Sequence, residues 1–256
     1  MTTALVGYTG FVGTTLRGQT VFDDHYNSAN IQDIRGKHYD LVVCAGAPAA
    51  KWKANQDPAG DLANLQMLMG HLAEMTADEF VLISTVDVYK TPVEVDEATP
   101  INAEGLHAYG ANRYRLEEFV RERFAGARVV RLPGLFGAGL RKNFLFDLVH
   151  RGESEWTHCD SVFQFYDMAN LWRDLQVVRA GAQPLVNFAT EPVRAGDVAR
   201  HSFDMDYTFQ TEKPPVRYDM RTRHADLFGA AAPYMTSAET VFAQIRVFAA
   251  QEQANS

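Results

Sequence analysis

Near its start the chain reads Leu5-Val6-Gly7-Tyr8-Thr9-Gly10-Phe11-Val12-Gly13. The residues before Gly7 have the apolar character of a short buried strand, and helical spacing begins directly after Gly13. In such a turn the first glycine allows a tight bend, the second lets a phosphate approach the backbone, and the third lets helix and strand pack closely. The stretch therefore predicts a diphosphate site at Gly7, Gly10, Phe11, Val12 and Gly13. The alternative is an ordinary strand–turn–helix connection that uses glycine for its backbone angles.

Strand and helix patterns alternate through the first half of the chain. Apolar strands are predicted at residues 3–6, within 22–28, at 40–46, 79–85 and 128–132, and helices at 58–75 and 109–124. This alternation predicts an α/β fold with a doubly wound parallel sheet that is covered by helices on both faces.

The alternation loosens beyond residue 133. A helix is predicted at 143–150, a strand at 161–166, a helix at 167–180, a strand at 184–189 and a final helix at about 237–251. We expect a single domain over 1–256. Its small C-terminal substrate lobe would be formed mainly by about 138–165 and 191–256.

Composition narrows the possible partners. The chain has 256 residues and a formal net charge of −8, which disfavours nucleic acid and anionic membranes. No apolar run approaches the ~20 residues of a membrane-spanning helix, and no secretory leader is evident. The two cysteines, Cys44 in an apolar strand and Cys159 in a polar stretch, favour a reducing cytoplasm, and no metal-ligand spacing occurs.

Two segments carry hydroxyls suited to proton transfer. The strand at 79–85 ends in Ser84-Thr85-Val86-Asp87-Val88-Tyr89, and a later helix opens with Tyr109-Gly110-Ala111-Asn112-Arg113. Tyr109 and Arg113 share one helix face, so the cation is expected to lower the pKa of the phenol toward neutrality. A hydroxyl from Thr85 would hold a carbonyl or alcohol beside that phenol. Together they predict an alcohol–ketone interconversion with hydride transfer to a nicotinamide.

These motifs, followed by Arg131-Leu-Pro-Gly-Leu-Phe-Gly137, occur in one order over about residues 3–190. The chain thereby resembles the extended short-chain dehydrogenase/reductase family, the NAD(P)-dependent epimerases and dehydratases of nucleotide sugars. The resemblance implies a Rossmann-type NAD(P)-binding domain that acts on a sugar, with nucleotide-linked sugars expected.

The resemblance also implies roles for individual residues. Tyr109 would be the general acid/base, Thr85 would orient the substrate oxygen, Asn64 would support the active-site helix, and Asp167 matches a late Asp of the family. Cofactor contacts beyond the glycine turn are expected at Asn27, Ser28, Cys44, Ala45, Gly46, Tyr109, Arg113 and Pro133. Substrate contacts are expected at Asp87, Arg141 and Asn143, the last two having a polar helix start as their alternative.

Two features depart from the family pattern. Arg113 stands where the family has lysine, and arginine keeps the charge but is practically never deprotonated. This difference indicates the alternative function, a catalytically impaired NAD(P)-binding sensor or scaffold. At the end of the second strand, where NAD enzymes place an acid, Asn27 and Ser28 stand nearest, whereas Asp23 and Asp24 come slightly early and Asp33 late. This favours NADP over NAD, although no arginine stands there to hold a 2′-phosphate.

Several residues have plainer interpretations. Tyr109 and Arg113 could form a surface pair, and Thr85 could cap a turn. Asn64 could be a polar residue of a helix face without a role, and Asp167 is expected first as an N-cap of the following helix. Lys51-Trp52-Lys53 indicates a solvated loop, or alternatively a lid over the cofactor, and His107 is expected in an exposed loop. The apolar stripe Leu116, Phe119 and Val120 suggests either a homodimer interface or a face turned toward the sheet.

Overall fold

The computed structural model describes residues 1–152 and 154–254. Its strands are β1 (Thr3–Val6), β2 (Asp24–Tyr26), β3 (His38–Cys44), β4 (Thr76–Thr85), β5 (Val93–Val95), β6 (Arg128–Leu132), β7 (Gly134–Phe136), β8 (Val162–Phe163), β9 (Phe165–Asp167), β10 (Leu185–Asn187), β11 (Val193–Arg194) and β12 (Asp219–Met220). Its α-helices are α1 (Phe11–Gln19), α2 (Lys51–Gln56), α3 (Pro58–Ala73), α4 (Ala108–Arg123), α5 (Phe144–Arg151), α6 (Leu171–Ala180), α7 (Ala195–Phe203) and α8 (Ala238–Ala254).

A six-stranded parallel sheet organises the fold, in the order β10-β6-β4-β3-β1-β2. The strand order reverses between β1 and β3, which both pair with their neighbours in parallel register. Ligands of open α/β sheets bind beyond the carboxyl ends of the strands at such a reversal. The predicted doubly wound, Rossmann-type fold class is confirmed.

The β2 side of the sheet is shorter than in the common doubly wound order, which has one more strand there. Between β2 and β3 the chain forms a 3-10 helix, Ile31–Ile34, and returns directly to the other side of β1. Parallel crossovers through a helix need a dozen or more residues, and this connection has too few for a helix and a further strand.

Alternating strand residues divide the core of the sheet between its two faces. Val6, Val42 and Leu82 pack with Leu65 of α3 and Leu116 of α4 in one buried cluster. The alternate residues Leu5, Val43 and Val81 lie outside that cluster and are equally buried. Helices α1 and α6 contact each other, since Gln19 accepts the Trp172 backbone N–H at 2.9 Å.

The described chain divides into two compact units. The first is Met1–Lys90, Thr99–Arg131 and Trp172–Val186, and contains most of the sheet. The second takes in the described parts of residues 91–98, 132–171 and 187–256. The expected single-domain organisation over 1–256, with its substrate lobe, stays a prediction.

The second unit contains three two-stranded pairings, β7 with β9, β8 with β11 and β5 with β12. The expectation of one strand over 161–166 is wrong, because the chain breaks at Gln164 and its two halves pair with different partners. The buried Gln164 amide donates to the carbonyls of Thr190 and Met220 and accepts the Met220 N–H. At this break the hydrogen bonds of the Gln164 side chain to the backbone take the place of continuous strand pairing.

Other elements follow the sequence patterns with shifted ends. The predicted helix at 167–180 begins as a 3-10 helix, Met168–Asn170, before α6. Cys159, expected in a polar stretch, is buried. Within residues 1–152 and 154–254, the helices all fall short of the length and apolar character that crossing a bilayer requires.

Candidate active site

The glycine turn between β1 and α1 is built by close backbone contacts. Gly7 has φ +86° and donates its N–H to the Tyr26 carbonyl at 2.7 Å. A Cβ at Gly7 would overlap the Ala45 carbonyl, and one at Gly13 would overlap the Gly7 carbonyl. Gly7 and Gly13 are therefore required by the fold of the turn itself. Gly10 differs, because a Cβ there would meet only the Gly7 carbonyl oxygen at 3.5 Å.

The amino end of α1 is suited to an anion. Gly10 is the N-cap, no side chain caps the helix, and its first turn contains no acidic residue. The first N–H groups of a helix lack intrahelical acceptors and carry the positive end of the helix dipole. Gly10 is exposed, so a phosphate can reach these groups. The residues present fit the diphosphate of a dinucleotide.

The two acids at the start of β2, Asp23 and Asp24, are engaged in other contacts. Asp24 accepts hydrogen bonds from Lys37 and Tyr39, and Asp23 accepts them from Thr3. Asn27 forms a turn in which its side-chain oxygen accepts the Ala29 N–H at 2.9 Å, and Ser28 is exposed.

Arg17 of α1, a cation that the sequence patterns did not indicate, packs against a side chain of the glycine turn. The Arg17 guanidinium carbon is 5.3 Å from the centre of the Tyr8 ring, which packs edge-on against His25. These three side chains connect α1, the turn and β2.

Thr85 and Tyr109 meet at the carboxyl end of β4. Thr85 is the last residue of the strand, and its side chain lies near the Tyr109 phenol, whose pKa it lowers. The Thr85 hydroxyl also accepts the Asp87 N–H at 3.2 Å, so the capping interpretation holds as well. Gly110 makes this approach possible, because a Cβ there would overlap the Asp87 carbonyl oxygen. The two hydroxyls that the sequence predicts to act together are therefore neighbours at the end of β4.

The expected fall in the pKa of Tyr109 is wrong. Burial raises the pKa of this phenol above its ordinary value, and the Asp87 carboxylate acts in the same direction. Arg113, Thr85 and Lys51 lower the pKa by less than burial and Asp87 together raise it. The phenolate loses water when it is buried, and the sequence does not show how deeply the ring lies. Without ligands, Tyr109 is therefore a proton donor at neutral pH.

Arg113 is a buried residue and not part of a surface pair. Its guanidinium carbon is 4.1 Å from the centre of the Tyr109 ring. One terminal nitrogen donates to Asp61 of α3, and the other donates to the Pro48 carbonyl. The sequence offered no signal for Asp61, which is 52 residues away.

Support for the active-site helix comes from a different residue than expected. Asn64, expected to support it, is exposed on α3. Instead the Asn55 side chain of α2 accepts the backbone N–H of Tyr109 at 3.0 Å. Asp61 accepts a further hydrogen bond from Asn112 at 2.8 Å. These contacts attach α2 and α3 to the start of α4.

Lys51 and His107 are not in the loops that the sequence suggested. Lys51 opens helix α2, and its ammonium nitrogen is 2.7 Å from an Asp87 carboxylate oxygen. Asp87, expected to bind substrate, thus already has a cationic partner. His107 is the N-cap of α4, and its Nδ1 accepts the Gly110 N–H at 3.0 Å. Burial and the charge of Lys51 lower the pKa of His107, so the ring is neutral at pH 7.

Behind the site, a buried polar network joins β4, α4 and β6. Glu117 accepts hydrogen bonds from Ser84 at 2.5 Å and from Arg131 at 2.6 and 2.9 Å. Arg131 also donates to the Tyr89 hydroxyl at 2.7 Å. The Arg131 motif was singled out in the sequence, but its partner Glu117 was not.

The remaining predicted residues are placed as follows. Cys44 lies in the core with the pKa of its thiol raised to about 11 by burial, so its backbone alone can face a ligand. The Ala45 N–H donates to the Val6 carbonyl at 2.8 Å, and Gly46 packs on Val6 and Leu68.

Four of the predicted residues lie in the second unit. Pro133 is buried between β6 and β7, Arg141 is exposed, and Asp167 caps the 3-10 helix. Asn143 caps α5 and donates to the Leu135 carbonyl at 2.9 Å, as its polar-helix-start interpretation predicts.

The Leu116, Phe119 and Val120 stripe faces the interior of the first unit. Leu116 and Val120 belong to its core cluster, and Phe119 packs against that cluster. Of the two sequence interpretations, the face turned toward the sheet is therefore confirmed.

Neither a search of protein-family models nor a search of curated protein sequences finds a match to this chain. Solved structures match it over nearly its whole length. A dTDP-4-dehydrorhamnose reductase from Bacillus anthracis in complex with NADP has 17% identity and a TM-score of 0.74, over 98% of this chain and 99% of that chain. MoeE5 in complex with UDP-glucuronic acid and NAD has 15% identity and a TM-score of 0.75, over 100% of both chains.

A UDP-N-acetylglucosamine 4-epimerase from Methanobrevibacter ruminantium has 11% identity and a TM-score of 0.73, over 100% of this chain and 99% of that chain. At these identities the similarity establishes the fold. The chain therefore has the fold of nucleotide-sugar reductases and epimerases.

Proposed function

We propose that this chain is an NAD(P)-dependent oxidoreductase that acts on a sugar, with nucleotide-linked sugars favoured, as a reductase, epimerase or dehydratase. The proximity of the Thr85 side chain to the Tyr109 phenol at the carboxyl end of β4 carries the proposal. Thr85 ends β4, and the glycine turn follows the end of β1 in the same parallel sheet. Carboxyl ends of parallel strands share one edge, so diphosphate site and proton donor lie at that edge.

Each of these residues has a definite task in the proposed reaction. The uncapped N–H groups of α1 bind the diphosphate, and the required glycines keep side chains out of the turn. Thr85 holds the reacting sugar oxygen by a hydrogen bond. Tyr109 donates its proton to that oxygen during reduction and takes it back during oxidation. NAD(P), when bound, supplies or accepts the hydride at the sugar carbon.

The cofactor is proposed to be NADP or NAD, with NADP favoured. Asp23 and Asp24, the acids near the end of β2, are engaged by Thr3, Lys37 and Tyr39. They are therefore less available to hold a ribose 2′-hydroxyl or to repel a 2′-phosphate. Solved structures of the same fold contain NADP in one case and NAD in another.

Cofactor binding is the first test of the proposal. Purified protein is titrated with NADPH and with NADH while cofactor fluorescence is followed. We expect saturable binding, tighter for NADPH. If neither dinucleotide binds saturably, the proposal is rejected.

Turnover is tested with Tyr109→Phe. This variant keeps the aromatic ring but lacks the phenolic proton. Wild type and variant are assayed with cofactor and a panel of UDP- and dTDP-linked sugars, and turnover is expected with the wild type only. Loss of about 10²–10⁴-fold is expected for a general acid. NADPH affinity, measured in parallel, should stay near the wild-type value. Undiminished turnover by the variant would contradict the proposed role.

The contacts of Arg113 support a second candidate function. Both terminal nitrogens of this guanidinium are taken by Asp61 and the Pro48 carbonyl, which favours a dinucleotide-binding sensor or scaffold with impaired turnover. Arg113→Lys separates the two candidates. A large gain in turnover indicates a degenerate site, and a loss indicates a working arginine.

Location and assembly remain proposals. The free cysteines Cys44 and Cys159 are buried and support a reducing cytoplasm. A homodimer would need a surface other than the Leu116 and Val120 stripe, which the core already uses.

A further inference from the structure

We infer that the Lys51–Asp87 ion pair is the second half of the acid/base device, in which Arg113 supplies a fixed charge beside the Tyr109 ring and Lys51 supplies an accessible ammonium. In this device Lys51 is a positioning residue that acts on the phenolate through space. The inference rests on the proposed function of Tyr109 as the proton donor.

The contacts of Arg113 show why a second cation is needed. Its side chain is 3% exposed and is committed to Asp61 and the Pro48 carbonyl. A guanidinium is practically never deprotonated, so this charge is constant over the working pH range. Arg113 can stabilise a phenolate, but it cannot adjust its position or its charge during proton transfer.

Lys51 has the properties that Arg113 lacks. Its side chain is 39% exposed, whereas that of Asp87 is 16% exposed, and the two are joined at 2.7 Å. An ammonium on a flexible stem is compact and reorients easily. Its charge acts on the ionisation of both Tyr109 and His107.

The surrounding elements hold this pair in place. Asn55 joins α2, which begins at Lys51, to the Tyr109 backbone, and Arg113 holds the Pro48 carbonyl just before that helix. On the other side, the Asp87 carbonyl lies against Gly110 of α4. Lys51 and Asp87 are thus attached to the helix that carries Tyr109 by contacts independent of their own ion pair.

The charged groups that act on the phenol come from several elements packed near it. Arg113 comes from α4 and is paired with Asp61 of α3, Lys51 comes from α2 and Asp87 from the turn after β4, while His107 is neutral at pH 7. When the sugar oxygen takes the phenol proton, the O–H electron pair stays on Tyr109 as a phenolate. Both cations stabilise that phenolate and Asp87 opposes it, until a proton returns from water.

The test follows the ionisation of residue 109 without substrate or cofactor. The protein is labelled with 3,5-difluorotyrosine, whose phenol ionises at lower pH than that of tyrosine, and titrated by ¹⁹F NMR, with Tyr109→Phe identifying the resonance. Lys51→Met should raise the midpoint by roughly one unit, because a stabilising cation is lost. Asp87→Asn should lower it, and the double variant should return it toward the wild-type value.

Lys53→Met is the matched control, since this lysine lies on the same helix with its ammonium 5.5 Å from the Trp52 ring centre. Its midpoint should equal that of the wild type. If Lys51→Met moves the midpoint no further than Lys53→Met does, the inference is overturned. If Lys51→Met fails to fold, the inference is decided by Asp87→Asn, which must move the midpoint downward.

Turnover supplies the second readout. With NADPH and a nucleotide sugar turned over by the wild type, Lys51→Met should lower kcat about tenfold with a smaller change in KM, and its pH profile should shift upward. Lys51→Arg should restore part of kcat. An unchanged pH profile of the Lys51→Met variant would overturn the inference. If the wild type binds neither NADPH nor NADH, the proposed function is rejected. In that case the ¹⁹F midpoints still decide whether Lys51 and Asp87 act on the ionisation of Tyr109.

Discussion

At the scale of single residues, the most consequential contact is the buried ion pair of Arg113 and Asp61. The two side chains are 3% and 6% exposed, so both charges have lost most of their water. Such a pair adds little net stability compared with an apolar pair, but removal of one member leaves an uncompensated buried charge. The pair therefore fixes the position of Arg113 beside Tyr109 more than it stabilises the protein.

This pair gives a stability prediction. Arg113→Met should lower the free energy of unfolding by about 3–5 kcal/mol, because the Asp61 carboxylate is left buried. The measurement is urea denaturation at pH 7. Arg115→Met, at an exposed position two residues further on α4, is the control and should change stability little.

A double variant separates charge from packing. Arg113→Met with Asp61→Asn should recover much of the lost stability, because no unpaired charge remains. Equal losses in the single and double variants would show that packing, and not the carboxylate, accounts for the effect.

At the scale of elements, the glycines between β1 and α1 have two roles: some are needed for the fold of the turn, and one is expected to admit the diphosphate. Different positions carry these two roles. Gly7 and Gly13 are needed for the backbone to pass the Ala45 and Gly7 carbonyls. Gly10 has an ordinary φ of −77° and open space around it. A side chain at Gly10 should therefore weaken the binding of a diphosphate more than it lowers the stability of the protein.

Gly10→Ala tests the cofactor site, because the added methyl group does not clash with the rest of the protein. We expect NADPH affinity to fall at least tenfold, while the melting temperature changes little, because the new methyl group occupies the approach of the phosphates. The measurements are fluorescence titration and thermal unfolding.

Gly18→Ala, on the same helix with no atom within 4 Å of the added Cβ, is the control. It should stabilise the protein by about 0.5–1 kcal/mol and leave NADPH affinity unchanged. Wild-type affinity in Gly10→Ala would place the dinucleotide elsewhere.

At the scale of the whole molecule, many ionisable groups keep their protons through burial. Burial raises the pKa of Cys44 to about 11, and burial raises the pKa values of Tyr207 and Tyr234 to about 12. The pKa of Tyr109 is raised by the same cause. In the unfolded chain these groups titrate near 9 for cysteine and 10 for tyrosine.

The protein should therefore lose stability in alkali. Between pH 9 and about 12 the unfolded chain releases protons that the folded chain retains, so the free energy of unfolding falls as pH rises. Urea denaturation midpoints measured from pH 8 to 11 should decrease steadily above pH 9. Cys44→Ala should flatten the first part of this decrease, and a constant wild-type midpoint would contradict the prediction.

The sequence predicts the local features of this structure well and its long-range contacts poorly. The strand before Gly7, the glycine turn and the helix after it are encoded by neighbouring residues and were predicted within a few residues of their ends. The proximity of Thr85 and Tyr109 was also expected, because the order of their motifs resembles that of a known family. The break at Gln164 was not, because its hydrogen-bond partners lie 26 and 56 residues further along the chain.

The sequence by itself determined the order of elements and the α/β class, since periodicity and glycine spacing are local properties of the chain. The tertiary structure alone decided that Arg113 is bound by Asp61, that Lys51 pairs with Asp87 across 36 residues, and that the pKa of Tyr109 is raised. The physical reason is that desolvation and charge pairing depend on which surfaces pack together, and no local pattern specifies those surfaces.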